Sequence, residues 1–474
     1  METAVEDQEK LMKSLIKTAK QTEFGKDHQF EKIESYEDFK QQIPVRDYEQ
    51  LKPYIEKIKE GKQNILWKGK PIYFAKTSGT TSGIKYIPIT KDSIPNHIET
   101  ARNALLCYMA QTGNTLFANG KLIFLSGSPE LERVGGIPTG RLSGIVNHHV
   151  PRYLRSNQLP SYETNCIEDW ETKLDAIVKE TINQDMTLIS GIPPWIQMYF
   201  DRLMEVSGKK IGELFKNFSV LVYGGVNFEP YRKRLFESIG KKIDSIELFP
   251  ASEGFFAFQD KQDEEGLLLN TDSGIFYEFI PSNEIHKPNP SRIMLKDVKP
   301  NENYALIVSN NAGLWAYNIG DMVKFVSVNP YRLIVTGRTS HFISAFGEHV
   351  IGEEVEQALT KAANKLGVHV VEFTVAPVVA QKGKSYHEWF IEFANMPENI
   401  EKIAIEIDNN LREKNIYYND LISGNILDTL KIIPIRKNGF VDYMKSIGKL
   451  GGQNKLPRLS NERTIATALY DYKV

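Results

Sequence analysis

Between residues 121 and 249 the sequence carries four short apolar runs rich in strand-forming residues, at 121–125, 187–190, 219–223 and 245–249. Stretches with helical periodicity, at 167–182, 193–206 and 228–240, separate the later ones. Strands that run parallel need a connection long enough to return the chain to the same edge, and a helix is the usual solution. The alternation therefore predicts crossover units and a parallel or mixed sheet covered by helices. From 264 to 336 the pattern changes to closely spaced strands, at 266–270, 275–280, 304–309, 322–328 and 332–336, which read as antiparallel. Near Thr336-Gly337-Arg338 it changes again. The tail reads as helix 350–366, strands 368–379 and 385–394, helix 398–414 and strand 429–435. These features predict an α/β and α+β chain: a large N-terminal domain, 1–337, with mixed sheets flanked by helices, and a small C-terminal α+β domain, 338–474. Upstream, Leu11, Met12, Leu15 and Ile16 lie at helical spacing within 7–20, a second helix is expected in 46–60, and 71–77 reads as a strand.

Composition removes several classes of function. The 58 Lys+Arg nearly balance 60 Asp+Glu, which argues against recognition of nucleic acid or a membrane surface by bulk charge. No run reaches the ~18 apolar residues needed to span a bilayer. The N-terminus is charged throughout and has no apolar signal core. Cys107 and Cys166 are the only cysteines, too few for a disulfide framework, which points to a reducing, cytoplasmic compartment. Nine histidines without a Cys/His cluster give no metal-ligand spacing. His148-His149, read as part of a strand, would send their rings to opposite sides. Phe255, Phe256 and Phe258 read as core, and no Gly-x-Ser-x-Gly elbow is present.

The local signal with most chemistry is Thr77-Ser78-Gly79-Thr80-Thr81-Ser82-Gly83-Ile84-Lys85, read as a loop. Glycines allow backbone N–H groups to converge on an anion, hydroxyls add donors, and Lys85 adds charge. Triphosphate is the expected anion. The spacing differs from the phosphoryl-transfer P-loop, because three residues separate Gly79 from Gly83 and Lys85 is not adjacent. Gly224-Gly225 follows one strand-like run, where ligands bind in open α/β sheets. Ser252-Glu253 follows the next, and a carboxylate there suits Mg²⁺ beside a triphosphate. Asp321 precedes a strand and can accept from ribose hydroxyls. Arg338, two residues past the last strand-like run and at the domain boundary, is a further candidate for the nucleotide. Lys455, in Gly451-Gly452-Gln453-Asn454-Lys455, stands on a glycine-flexed segment that can carry its charge into a cleft. Segment 135–149, with Arg141, and Trp195 fall between the nucleotide segments and are candidates for an acid pocket, Arg141 receiving a carboxylate.

Taken in order, these segments resemble the auxin-responsive acyl-acid amido synthetases, in a bacterial-type form. That family is a branch of the adenylate-forming superfamily that includes acyl-CoA synthetases and luciferase. The resemblance runs from Thr22-Glu23-Phe24-Gly25 and Pro44-Val45-Arg46-Asp47-Tyr48-Glu49, through 77–88, to 451–458. It implies the adenylate-forming fold with a rotating C-terminal domain. It further implies ATP phosphates held at 77–85, Mg²⁺ and nucleotide at Glu253, ribose at Asp321, and Lys455 assisting adenylation. Three positions depart from the family pattern: Phe249 with Ala251 where Tyr and Ser are usual, Asn318 where Arg is usual, and Asn454 where Tyr is usual.

The implied chemistry has two halves. A carboxylate attacks the α-phosphorus of ATP, releasing pyrophosphate, and an amino acid's amine then takes the acyl group, releasing AMP. The implied partners are a small carboxylic acid and an amino acid, with no nucleic acid and no membrane, acting on a monomer. Two alternatives stay open at this stage: an acyl-CoA ligase sharing the first half-reaction, and a catalytically silent nucleotide-binding sensor.

Overall fold

The structure is a computed structural model. It describes every position except 1–2, 81–82, 151–154, 226–227, 283, 286, 288, 339–341, 344, 349, 381–382 and 448–455. At 78–80, 83, 194, 229–230, 233, 337–338, 342 and 351–353 it describes the backbone alone. Two compact units make up the chain. One contains 1–77, 85–167 and 173–339, and the other 78–84, 168–172 and 340–474. No helix among the described residues is long and apolar enough to cross a membrane.

The strands of the larger unit, in chain order, begin with β1 (Tyr73–Thr80), β2 (Gly83–Ile89), β3 (Lys121–Phe124), β4 (Glu132–Val134) and β5 (Ile137–Gly140). They continue with β6 (Gln158–Leu159), β7 (Met186–Gly191), β8 (Val220–Gly224), β9 (Asp244–Ala251), β10 (Gly254–Phe258) and β11 (Leu267–Leu269). The last are β12 (Ile275–Pro281), β13 (Ile293–Met294), β14 (Asn303–Asn310), β15 (Tyr317–Val328) and β16 (Tyr331–Arg338). Twelve of them form one sheet in the order β13-β12-β14-β15-β16-β11-β10-β9-β8-β7-β3-β6; the others form a four-stranded sheet, β2-β1-β5-β4.

The large sheet has two halves, as the sequence predicts. From β6 to β9 every pairing is parallel. The first four residues of both β7 and β8 are buried, as expected of strands covered on both faces. From β9 onward the pairings are antiparallel, and β15 alternates buried and half-exposed positions along most of its length, the signature of a strand with one solvated face.

The N-terminal helices attach to the antiparallel half through polar groups as well as apolar contact. Gln8, on the helix Ala4–Ala19, donates to the carbonyls of Thr271 and Ile275 and accepts from the Tyr277 N–H. Glu278, wholly buried on β12, is paired with Arg292 at 2.7 Å and accepts from the Tyr36 hydroxyl. Arg292 also donates to the Ile43 carbonyl. Trp315 fills the space between, stacked on Phe24 and edge-on to Phe30, with its indole N–H on the Leu66 carbonyl.

In the smaller unit, β17 (Val370–Val378) pairs antiparallel with β18 (Tyr386–Phe393), which pairs parallel with β19 (Lys431–Ile435). Helices Gly352–Leu366 and Ile400–Lys414 accompany them, in the α-β-β-α-β order read from the sequence. Helices Ile416–Ser423, Gly439–Ser446 and Thr464–Leu469 are additional.

One buried group makes the fold acid-sensitive. His97 is buried on the helix Ile94–Thr112, and burial lowers its pKa to about 4. The unfolded chain takes up that proton near 6.5, so between the two values the unfolded state binds more protons and stability falls as pH falls. The loss is on the order of 3 kcal/mol between pH 6.5 and 4. Unfolding free energies measured across this range should fall less steeply for His97→Gln than for the native sequence.

Candidate active site

Parallel pairing determines where the strands end. Phe124 of β3 stands opposite Ser190, Gly191 of β7 opposite Tyr223, and Gly224 of β8 opposite Leu248 of β9. The carboxyl ends of four adjacent strands thus come to one rim. Gly224 is required there, since a Cβ on it would lie 2.3 Å from the Leu248 carbonyl oxygen. Gly225 has φ +83°, the left-handed region open to glycine, and lies against Ile192. Trp195 is half-buried in the first turn of the helix Pro193–Ser207, just after the end of β7. The segment after 225 includes positions outside the described residues.

Ser252 and Glu253 form the tip of a two-residue hairpin, because Ala251 of β9 pairs with Gly254 of β10. The sequence reading placed Glu253 at a strand end; the return strand holds it from the other side too. The buried Asn310, at the end of β14, donates to the Glu253 carbonyl at 2.8 Å, and its side-chain oxygen accepts from the N–H groups of Ala312 and Leu314. Asn96 holds the other end of the turn, donating to the Phe255 carbonyl and accepting from its N–H. Neither asparagine was singled out from the sequence, where an isolated Asn reads as a turn residue. Phe249, one of the departures, is buried edge-on against Phe256. Phe255, Phe256 and Phe258 are core, as expected.

Asp321 does not precede a strand. It lies inside β15, which begins at Tyr317, and it is mostly buried opposite Arg338 of β16. The early start follows from Asn318, whose oxygen accepts from the Gly320 N–H and whose own N–H donates to the Arg46 carbonyl. Two strands, β16 and β11, stand between β15 and β10, so Asp321 and Glu253 occupy separate stations on the sheet. The Arg338 side chain lies outside the described residues.

The segment 77–85 is less of a loop than its composition suggests. β1 extends through Thr77, Ser78, Gly79 and Thr80, and β2 starts at Gly83. The residues between them, Thr81 and Ser82, lie outside the described set, as do the side chains of Ser78, Gly79, Thr80 and Gly83. Lys85, on β2, has its ammonium 5.9 Å from the centre of the Tyr48 ring, and the Tyr48 hydroxyl accepts from the Tyr86 N–H.

β1 also pairs in parallel with β5, Phe74 opposite Thr139 and Ala75 opposite Gly140. Arg141 directly follows β5 and so comes level with Lys76 of β1. Its side chain lies against Gly127, three residues past the end of β3: a Cβ on Gly127 would lie 3.0 Å from Arg141 Cδ. Residues 148–149 are not strand but the turn that follows a short helix, Leu142–Asn147, where Gly144 lets that helix sit on the Ser128 carbonyl. His148 contacts the Pro129 carbonyl, while His149 contacts the Tyr73 hydroxyl on β1 at 3.1 Å. Burial lowers the His149 pKa, helped by the nearby charges of His148 and Arg155, and this favours a neutral ring beside β1.

Lys455 lies outside the described residues, but the chain just beyond it is anchored within the smaller unit. Pro457 accepts from Thr374, Arg458 pairs with Glu356 and Glu372, and the buried Leu459 bridges to Val375 of β17. Cys107 and Cys166 are unpaired, and no group of three or more metal-ligating side chains occurs among the described residues.

Family models described as the GH3 family N-terminal, central and C-terminal domains match residues 1–163, 268–338 and 353–464. The chain belongs to the GH3 family. Its relatives include the indole-3-acetic acid-amido synthetase GH3.3 of Arabidopsis thaliana, 22% identical over 95% of this chain and 88% of that protein. Another is the jasmonoyl-L-amino acid synthetase JAR6 of Nicotiana attenuata, 21% identical over 89% and 85%. Among solved structures, the GH3.15 acyl acid amido synthetase matches with a TM-score of 0.60 at 15% identity, covering 99% of this chain and 93% of that one. A 2-hydroxyisobutyryl-CoA ligase matches with 0.61 at 13% identity, covering 99% and 91%. These likenesses establish the adenylate-forming fold for this GH3 protein.

Gly224→Ala should force β8 and β9 apart at the rim. The expected cost is roughly 1–3 kcal/mol of stability, read by chemical denaturation.

Proposed function

We propose that this GH3 protein is an ATP-dependent acyl-acid amido synthetase. It activates a carboxylic acid as its adenylate, with release of pyrophosphate, and transfers the acyl group to the amine of an amino acid, with release of AMP. The observation that carries this reading is the parallel register of β1 with β5. Ala75 pairs with Gly140, so Arg141, a side chain suited to a carboxylate, comes level with Lys76 on the strand that leads into the glycine-hydroxyl segment. The family membership and the amido-synthetase relatives support it.

Each half-reaction has its part of the machinery. The first brings two anions together, so Arg141 orients the acid while the N–H groups of 77–83 and the Lys85 ammonium draw charge from the phosphates. Gly224-Gly225 leaves space for the flat base, with Asp321 and Arg338 on the ribose side. Mg²⁺ is commonly held by one or two carboxylates together with substrate phosphates, and Glu253, fixed on its hairpin, fits that donor set. When bound it would supply charge neutralisation on the triphosphate. Lys455 offsets the charge that develops on the leaving pyrophosphate. Trp195 contributes an apolar wall for the acid. A C-terminal domain comprising 338–474 closes over the reaction and keeps water from the adenylate. The protein acts as a cytoplasmic monomer.

Pyrophosphate release from ATP should depend on an added carboxylic acid, and a panel of acids crossed with amino acids and with coenzyme A tests this. Amide product with an amino acid is the expected result; thioester product with coenzyme A alone would reassign the acceptor. Lys455→Ala should slow acid-dependent pyrophosphate release about 100-fold while ATP binding stays within about twofold. Glu253→Gln should shift the Mg²⁺ titration of that reaction to higher concentration.

A further inference from the structure

Lys173 is a lysine where lysines are rarely found, only 4% exposed near the start of the helix Trp170–Thr181. Its ammonium donates to the Ser126 carbonyl at 3.0 Å and to the Asn165 carbonyl at 2.7 Å. Both acceptors are neutral. The ionisable groups facing it are Cys166 and Arg141, the second a like charge. Burial, the larger effect, and Arg141 lower its pKa to about 8, so at neutral pH the group is a buried cation.

Its surroundings are also short of hydrogen bonds. The Ser126 hydroxyl and the Asn165 side-chain oxygen are buried without partners, on the same two residues whose carbonyls hold the ammonium. The arrangement is rigid: Glu180, on the helix that carries Lys173, accepts from Ser161 and Thr164 and clamps the turn that ends at Asn165. Ser126 and Gly127 follow the end of β3, and the Arg141 side chain lies across Gly127. A cation buried among neutral acceptors is costly, and an anion seated against it offsets that cost.

We infer that Lys173, the Ser126 hydroxyl and Arg141 form a carboxylate-binding subsite at the end of β3, with Lys173 as the deep cation that positions the ligand. Two carboxylates belong to the proposed reaction. One is the acid to be activated. The other is the amino acid's own carboxylate, which is not consumed and needs a lasting counter-charge. Which of them binds here rests on the amido-synthetase reading; that a carboxylate binds here does not.

The test uses the full chain, with Lys173→Met and Ser126→Ala. Acetate and glycine are small enough to enter whatever the shape of the rest of the pocket. At least one of them should raise the thermal unfolding midpoint of the native chain more than acetamide or glycinamide does, and Lys173→Met should weaken that effect about tenfold, the scale of one charge-assisted hydrogen bond. In turnover, Lys173→Met should raise the KM for one carboxylate about tenfold and leave the KM for ATP within about twofold. A rise for the acid, seen in pyrophosphate release without amino acid, assigns the subsite to the acid; a rise only for the amino acid assigns it to the acceptor. The inference fails if neither carboxylate is distinguished from its amide, if Lys173→Met binds as the native chain does, or if all three KM values rise together. Should Lys173→Met not fold, Ser126→Ala decides, with a weakening of about threefold expected and no change overturning the inference. Carboxylate binding lost in Lys173→Met, with no acid supporting pyrophosphate release in the native chain, would keep the subsite and reject the amido-synthetase reading.

Discussion

The parallel pairing of β3, β7, β8 and β9 is the constraint from which the rest of the candidate site follows. Helical connections return the chain to the same edge each time, so four carboxyl ends accumulate at one rim. The rim explains why Gly224 must lack a side chain, and Ser126, Trp195 and the Glu253 hairpin each follow a strand that ends there. The turn at 252–253 then reverses the chain direction and starts the antiparallel half, making Glu253 the junction between two kinds of pairing.

Two asparagines give that junction its stiffness. A two-residue turn made of Ser and Glu has little intrinsic preference for a hairpin, unlike Asn-Gly or Asp-Gly. Here the preference is supplied from outside, by Asn310 on β14 and Asn96 on the helix Ile94–Thr112. These bonds fix the backbone on either side of Glu253 and so set the point from which its carboxylate projects.

Much of the fold was legible because its signals are dense and local. The continuous apolar runs of β7 and β8 admit few readings other than covered strands, and the tail's α-β-β-α-β order emerged from periodicity alone. What escaped depends on contacts distant in sequence. The helix Leu142–Asn147 exists because Gly144 meets the Ser128 carbonyl, so His148-His149 looked like strand. Asp321 lies within β15 because the strand already pairs with β14 at Tyr317 and Asn318, a contact distant in sequence that Asn318-Ile319-Gly320 hides behind a turn-like composition. Lys173 reads as one more solvated lysine until its ammonium is seen buried on the Ser126 and Asn165 carbonyls. The 77–83 segment is visible in composition, yet the pairing of β1 with β5 at Phe74 and Ala75, and hence the place of Arg141, comes only with the coordinates.

The attachment of the N-terminal helix has a consequence of a different kind. Gln8 supplies a donor pair and an acceptor to backbone groups at residues 271–277, the bonds a neighbouring strand would otherwise make. A side chain thus finishes a border that the sheet leaves open. Remove that helix, and the bare border becomes a template for another copy's backbone, while the core loses the cover of Met12, Leu15 and Ile16.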